Sequence, residues 1–193
     1  NTYIKGNAID YIKENYEMSD FDKVGGNIIS KQYFTALGYK HTSIDLNGKE
    51  GTIQVDLRNP IMDQASELMD KFDVIVDIGT SEHVEYQYMN FKNLYKMLKV
   101  GGTFIHVLPK EGHWEGHCKY KYNFDFFKLL AEANNYEILD LHVRIDKDIC
   151  CSMKKMNSDK FMDKHDFDKL PMVIESGNNF NDRTLYGYAY EKK

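Results

Sequence analysis

The chain has 193 residues, of which 42% are hydrophobic and 28% charged. That length and balance suit one folded domain with a real core and exclude an intrinsically disordered chain. A formal net charge of −5, with lysines interleaved among Asp and Glu, argues against a general nucleic-acid binder, which needs a basic stripe to neutralise phosphates.

The apolar runs are of strand length, far short of a membrane span, and no stretch has the layout of a signal peptide. The sequence begins at Asn1 rather than Met, which leaves room for a longer native start. The three cysteines, Cys118, Cys150 and Cys151, suit no secreted disulfide framework, since the count is odd and two of them are adjacent. Reduced thiols in a cytoplasmic protein are expected.

From the amino terminus, Ile4, Ala8, Ile9, Ile12 and Tyr16 have helical spacing within Tyr3 to Tyr16. A glycine turn follows at Val24-Gly-Gly-Asn27, then a helix over Lys31 to Leu37 that Gly38 terminates. His41 to Leu46 and Thr52 to Leu57 read as strands, separated by Asn47-Gly48 and closed by Asn59-Pro60. Ile61 to Met69 supplies a short helix. Phe72 to Ile78 is a buried strand that runs into Gly79, and Glu85 to Leu98 is an amphipathic helix with Tyr88, Phe91, Leu94 and Tyr95 on one face.

Gly101-Gly102 ends that helix, and Thr103 to Leu108 forms another strand. A loop rich in His and Gly, Lys110 to His117, precedes a helix over Phe124 to Asn134 and a strand over Tyr136 to Arg144. Lys147 to Leu170 reads as a polar, lysine-rich connection, and Met172 to Glu175 and Leu185 to Glu191 as closing strands. The alternation of strands and helices predicts an α/β fold: a doubly wound, mostly parallel Rossmann-like sheet with helices on both faces. The two closing strands predict an antiparallel edge at the carboxyl terminus, and the whole of 1–193 reads as one domain.

Chemistry in open α/β sheets collects at the carboxyl ends of strands. Gly25, Gly26 and Asn27, with Asp45 about twenty residues on, have the spacing of a turn that lets backbone approach a ligand and a carboxylate that binds ribose hydroxyls. Asp45 can equally be a turn-former before Asn47-Gly48. Asp56 repeats the pattern at the next strand end, where it either contacts a ring edge or caps the turn before Arg58. In Gly79-Thr-Ser-Glu-His83, the glycine permits a positive φ. Ser81 and Glu82 are explicable as helix capping and dipole pairing, which leaves His83 as a candidate base.

His113 and His117 are four apart, with Cys118 adjacent, a zinc-like spacing. Gly112 and Gly116 disfavour a helix there, so a substrate-lining loop with Trp114, Tyr120 and Tyr122 as walls is preferred and no metal is expected. His106, inside a strand, reads as a satisfied core histidine.

Taken together, Ser43-Ile-Asp-Leu46, Val55-Asp-Leu57, Phe72-Asp-Val-Ile-Val-Asp-Ile-Gly79 and Leu98-Lys-Val-Gly-Gly-Thr-Phe-Ile-His106 resemble the Rossmann-like S-adenosylmethionine-dependent methyltransferases. Gly79-Thr-Ser-Glu-His-Val84 is similar to a subgroup associated with surface-polysaccharide and other glycan gene clusters. The resemblance covers about residues 20–145. It implies S-adenosyl-L-methionine as cofactor, with Gly25, Gly26 and Asn27 near its methionine part and Asp45 on the ribose. Asp56 and Leu57 would flank the adenine, and Gly79 and Thr80 would line the cofactor from the strand end. Catalysis would fall to His83, with Glu82, His113 and His117 behind it, on an oxygen or nitrogen of a small-molecule or glycan acceptor. The family's reversed last strand fits the antiparallel ending.

The first glycine motif departs from the family, reading Phe21-Asp-Lys-Val-Gly-Gly-Asn27 where an apolar strand, an acidic residue and Gly-x-Gly are usual. A non-catalytic binding protein of the same fold therefore stays open, as does an NAD-dependent oxidoreductase, although the chain lacks G-x-G-x-x-G.

Overall fold

A computed structural model describes residues 3–4, 23–24, 27–36, 38–49 and 51–175. They fall into two compact units, Asn1–Gln54 and Val55–Lys193.

In the first unit, strands β1 (Tyr3–Ile4), β2 (Lys23–Val24) and β3 (Asn27–Ile29) form an antiparallel sheet of order β1-β3-β2. The helical reading of Tyr3 to Tyr16 fails at its start, where Tyr3 and Ile4 pair with Ile29 and Ile28; its remaining residues lie outside the described ones. Apolar spacing could not separate the two outcomes, because Tyr and Ile suit a strand as well as a helix. Helix α1 (Ser30–Ala36) follows, and Gly38, at φ +83°, turns the chain away from it. The two expected strands shrink to a short parallel pair, β4 (Ile44–Asp45) and β5 (Ile53–Gln54).

The second unit opens with a turn and two short helical pieces, α2 (Ile61–Gln64) and a 3-10 turn at Ser66–Leu68. Asn93 organises this entry. Its amide donates to the carbonyls of Leu57 (3.1 Å) and Asn59 (2.8 Å) and its oxygen accepts from the Ile61 N–H (2.9 Å). Strand β6 (Phe72–Ile78) leads through a 3-10 turn at Ser81–His83 into helix α3 (Gln87–Met97), and β7 (Leu98–Pro109) pairs parallel to β6. Short strand β8 (Tyr120–Lys121), helix α4 (Phe124–Ala133), β9 (Tyr136–Arg144) and β10 (Asp148–Lys155) follow. A one-turn helix α5 (Lys164–Phe167) and β11 (Val173–Ile174) complete the described chain.

The main sheet has the order β6-β7-β10-β9, with β10 antiparallel to both neighbours. The molecule is thus α/β, but two of the three pairings in this sheet are antiparallel, so the expected mostly parallel sheet needs correction. The reversed strand is also not at the edge or the carboxyl terminus. It is β10, inserted between β7 and β9, within the stretch read as a polar connection. Leu185 to Glu191 lies outside the described residues. The misreading has a physical cause: β10 alternates in burial, with Ile149, Cys151, Met153 and Lys155 inward, but Cys, Met and Lys stand where β-branched residues usually mark a strand.

The core lies on one face of this sheet, where Tyr88, Phe91 and Tyr95 of α3 meet Phe126, Phe127 and Leu130 of α4, Leu108, Met153, Phe161 and Phe167. Val74, Val76, Ile78 and Ile105, on the opposite face, are exposed, so among the described residues the expected helices do not cover both faces. Lys155 locks the seam between helix and sheet from within: its ammonium donates to the carbonyls of Tyr95 (2.9 Å) and Leu98 (2.8 Å), where α3 ends and β7 begins.

Candidate functional site

The carboxyl end of β6 is where the second unit concentrates buried polar groups. Asp77 points to the core face and is nearly inaccessible. Its carboxylate accepts from the Ser81 hydroxyl (2.6 Å) and N–H (3.2 Å) and from Nδ1 of His106 (2.8 Å), which stands opposite it on β7. Ser81 in turn accepts from the Asn90 amide (2.7 Å). Gln87 donates to the carbonyls of Ser81 and Val84, both at 2.6 Å, and accepts from the Tyr122 hydroxyl at 2.7 Å. Each of these side chains gains at least one partner, as low-dielectric surroundings demand, with Asn90 Oδ1 alone among their described polar atoms left unpaired, and together they fix the turn that follows Gly79.

This network corrects the reading of Ser81 and Glu82 as helix caps. Helix α3 begins only at Gln87, and neither it nor the 3-10 turn carries a side-chain cap at its start. Ser81 is spent on Asp77 and Asn90. Glu82 is 2% exposed, and burial, helped by the charge of Asp77, pushes its carboxyl up to about 8. His83, also buried, is pushed down to about 4 by burial and by the neighbouring His117. At neutral pH Glu82 is therefore protonated and His83 neutral, so the 3.7 Å approach of His83 Nε2 to Glu82 Oε1 is a polar contact and not an ion pair.

His117 reaches the same spot from the loop after β7. That loop is pinned by the Trp114 indole, which donates to the Lys147 carbonyl (3.1 Å) and to Asp148 (3.0 Å), and by the Gly116 N–H bond to Glu175 (3.0 Å). The His117 ring lies edge-on to His83 at 5.2 Å and against Trp114 at 5.0 Å. One donor atom from each of Glu82, His83 and His117 lies within 4.8 Å of the others. His113, half-buried in the same loop, is outside that group. Cys118 is buried and its thiol, pushed up to about 12, donates to the Tyr120 carbonyl.

The other expected residues have local partners. Gly25 and Gly26 lie outside the described residues, and Asn27 begins β3. Asp45 ends β4 and accepts from the Asn47 N–H at 2.8 Å, the bond of a turn-former. Asp56 accepts from the Arg58 guanidinium at 2.7–3.1 Å, and this hydrogen bonding holds its carboxyl below the usual range. The Leu57 carbonyl belongs to the Asn93 clamp. Gly79 adopts φ +71°, where a Cβ would meet only Glu82 Oε1, at 3.5 Å, and Thr80 is exposed. Asp77, Gln87 and Asn90 were not singled out from the sequence. Their signal was there: an acid inside a buried strand, and two polar residues three apart on the face of α3 that carries Tyr88 and Phe91.

No family model matches the chain, and no curated protein matches it. Among solved structures it is similar to the PH0226 protein from Pyrococcus horikoshii OT3, at 12% identity over 65% of this chain and 77% of that one, with a TM-score of 0.46. A likeness at that level carries no argument about activity.

Proposed function

We propose that the protein is an S-adenosylmethionine-dependent methyltransferase that acts on an oxygen or nitrogen of a small molecule or glycan, built on its α/β domain. The observation that carries the reading is the end of β6. A parallel strand stops at a glycine of positive φ, the turn beyond it holds a buried acid and a histidine, and the loop after β7 brings a second histidine to them. This is the position at which α/β sheets bind ligands.

The residues at this strand end suit the cofactor. Gly79 presents bare backbone in a conformation only glycine takes cheaply, as close approach of a ligand requires. In this reading Gly79 and Thr80 line the cofactor, and Asp56 and Leu57 flank the adenine. The bound cofactor supplies an electrophilic sulfonium methyl. What the chain supplies is alignment of the acceptor, the larger part of catalysis in an in-line displacement, and a place for the acceptor's proton. His83 suits that second task, because it is neutral and free to accept at neutral pH, whereas Glu82 still holds its own proton below about 8.

Titration of the purified protein with S-adenosylmethionine, S-adenosylhomocysteine and NAD tests the reading. Micromolar binding of S-adenosylhomocysteine supports it. Binding of NAD alone overturns it in favour of an oxidoreductase, and binding of none overturns it in favour of a binding protein of the same fold.

A further inference from the structure

We propose that Glu82, His83 and His117 form a binding site for one divalent transition-metal ion, of the zinc type, with at least one coordination position left open. The site is assembled from two places. Ser81–His83 is a 3-10 turn that sets the adjacent Glu82 and His83 side by side, and the loop between β7 and β8 brings in His117. One donor atom from each lies within 4.8 Å of the other two.

The spacing is close to what an ion needs. Zinc binds imidazole nitrogen and carboxylate oxygen at about 2.0–2.1 Å, which sets tetrahedral donors about 3.4 Å apart. His83 Nε2 and Glu82 Oε1 already stand 3.7 Å apart. The wider separations close by side-chain rotation of His117, the least buried of the three.

A second observation points to a cation. Glu82 is 2% exposed, yet its Oε2 has no hydrogen-bond partner among the described residues. The nearby donors are engaged elsewhere: the Gln87 amide on the carbonyls of Ser81 and Val84, the Tyr122 hydroxyl on Gln87, the Asn90 amide on Ser81. An unsatisfied buried carboxyl oxygen is costly, and an ion at this point would satisfy it. The fold spends five hydrogen bonds on positioning the turn and leaves Glu82 Oε2, like Asn90 Oδ1, without a partner among the described residues.

The donor set selects the ion. Two imidazoles and a carboxylate suit zinc, iron(II), cobalt or nickel better than magnesium or calcium, which prefer all-oxygen shells. The Cys118 thiol is next in sequence to His117 but donates to the Tyr120 carbonyl, so it is not a fourth ligand in this arrangement. Three protein ligands are the pattern of sites that keep a position for water or a substrate oxygen. Occupancy by an ion and service of His83 as a free proton acceptor are mutually exclusive, so the ion, when bound, would hold an acceptor oxygen directly.

The test uses the full chain without a polyhistidine tag, dialysed against a chelator and then titrated with cobalt(II), read by visible absorption, and with zinc(II), read by calorimetry. One ion per chain is expected. His117→Ala and Glu82→Gln should each weaken binding by more than about tenfold, with circular dichroism confirming that the variants fold, while His165→Ala, on exposed α5, should bind as the parent does. Absence of stoichiometric binding, or affinity unchanged in His117→Ala, overturns the proposal. Ion binding and adenosylhomocysteine binding are read separately, so either can fail without the other.

Discussion

Asp77 and His106 stand opposite each other in the parallel ladder of β6 and β7, their side chains joined at 2.8 Å and almost wholly shut off from water. This pair, with Ser81 bonded to the same carboxylate, fastens the turn after Gly79 to the sheet. Asp77→Ala would strand the His106 ring and the Ser81 hydroxyl in the core. The expected cost is about 1–3 kcal/mol for each buried group left without its partner, two in all. Ser81→Ala should cost less, about 1–3 kcal/mol, because it leaves the Asn90 amide without its acceptor. Urea denaturation measures both. Because the two residues share a bond, the double variant should lose less than the sum, and strict additivity would show that the network is not coupled.

Glu82 gives stability a pH dependence whose sign can be worked out. Its carboxyl titrates near 4.5 in the unfolded chain and at about 8 in the folded one. Between those values the folded state keeps a proton that the unfolded state has lost, so stability falls as pH rises and levels off above 8. His83 acts oppositely in a lower window. Its folded value is depressed from 6.5 to about 4, so its contribution is full above 6.5 and is lost as pH falls toward 4. The two effects oppose each other below pH 6.5, and only that of Glu82 operates between 6.5 and 8. In chelator, the wild-type chain should lose about 1.4 kcal/mol per pH unit across that upper window, whereas Glu82→Gln should be flat. Parallel curves for the two proteins would place Glu82 in water instead of the core.

Lys155 turns inward from β10 and bonds the last carbonyls of α3 without a fully buried carboxylate beside it; Asp70, its ionic neighbour at 3.6 Å, is largely exposed. Lys155→Met keeps the length of the side chain and removes its donors. The expected loss is about 1–3 kcal/mol, from the Tyr95 and Leu98 carbonyls left unpaired, read as a lower midpoint in urea with an unchanged slope. A neutral substitution would mean that water replaces the ammonium at those carbonyls.

The elements with strong periodicity were legible in the sequence. Strands β6 and β9 span the expected residues, α3 and α4 agree within two residues at each end, and Gly38 terminates α1. These segments carry their apolar residues at the right period, and Asn123 announces α4 by accepting from the Phe126 N–H. Strand β10 was illegible because its inward residues include Cys and Lys, and the lysine is acceptable there only through carbonyls that the sequence does not reveal. His106 was legible as a core histidine. The cluster at the end of β6 was legible in part: the motif Gly79–His83 marks the place, but local rules make Ser81 and Glu82 into caps. Only the register of β6 against β7 and the path of the loop to His117 turn them into a network and a candidate ligand set, and both are tertiary facts.

The cysteines allow a test of burial that needs no assay of function. Cys118 and Cys151 are each 1% exposed, and burial pushes both thiols up to about 12. Cys150 alternates to the other side of β10 and is half-buried; burial raises it too, but Arg144 works against the rise. Since the thiolate is the reacting species, rates follow proton affinity and access. With a thiol-specific disulfide reagent near pH 8, one thiol per native chain should react well before the other two, and Cys150→Ser should abolish that early phase. The remaining two should react only as the chain unfolds, so their rate should rise with urea in step with the loss of tertiary structure. Three thiols of equal rate in the absence of urea would contradict the inward register of β10, and with it the placement of Lys155.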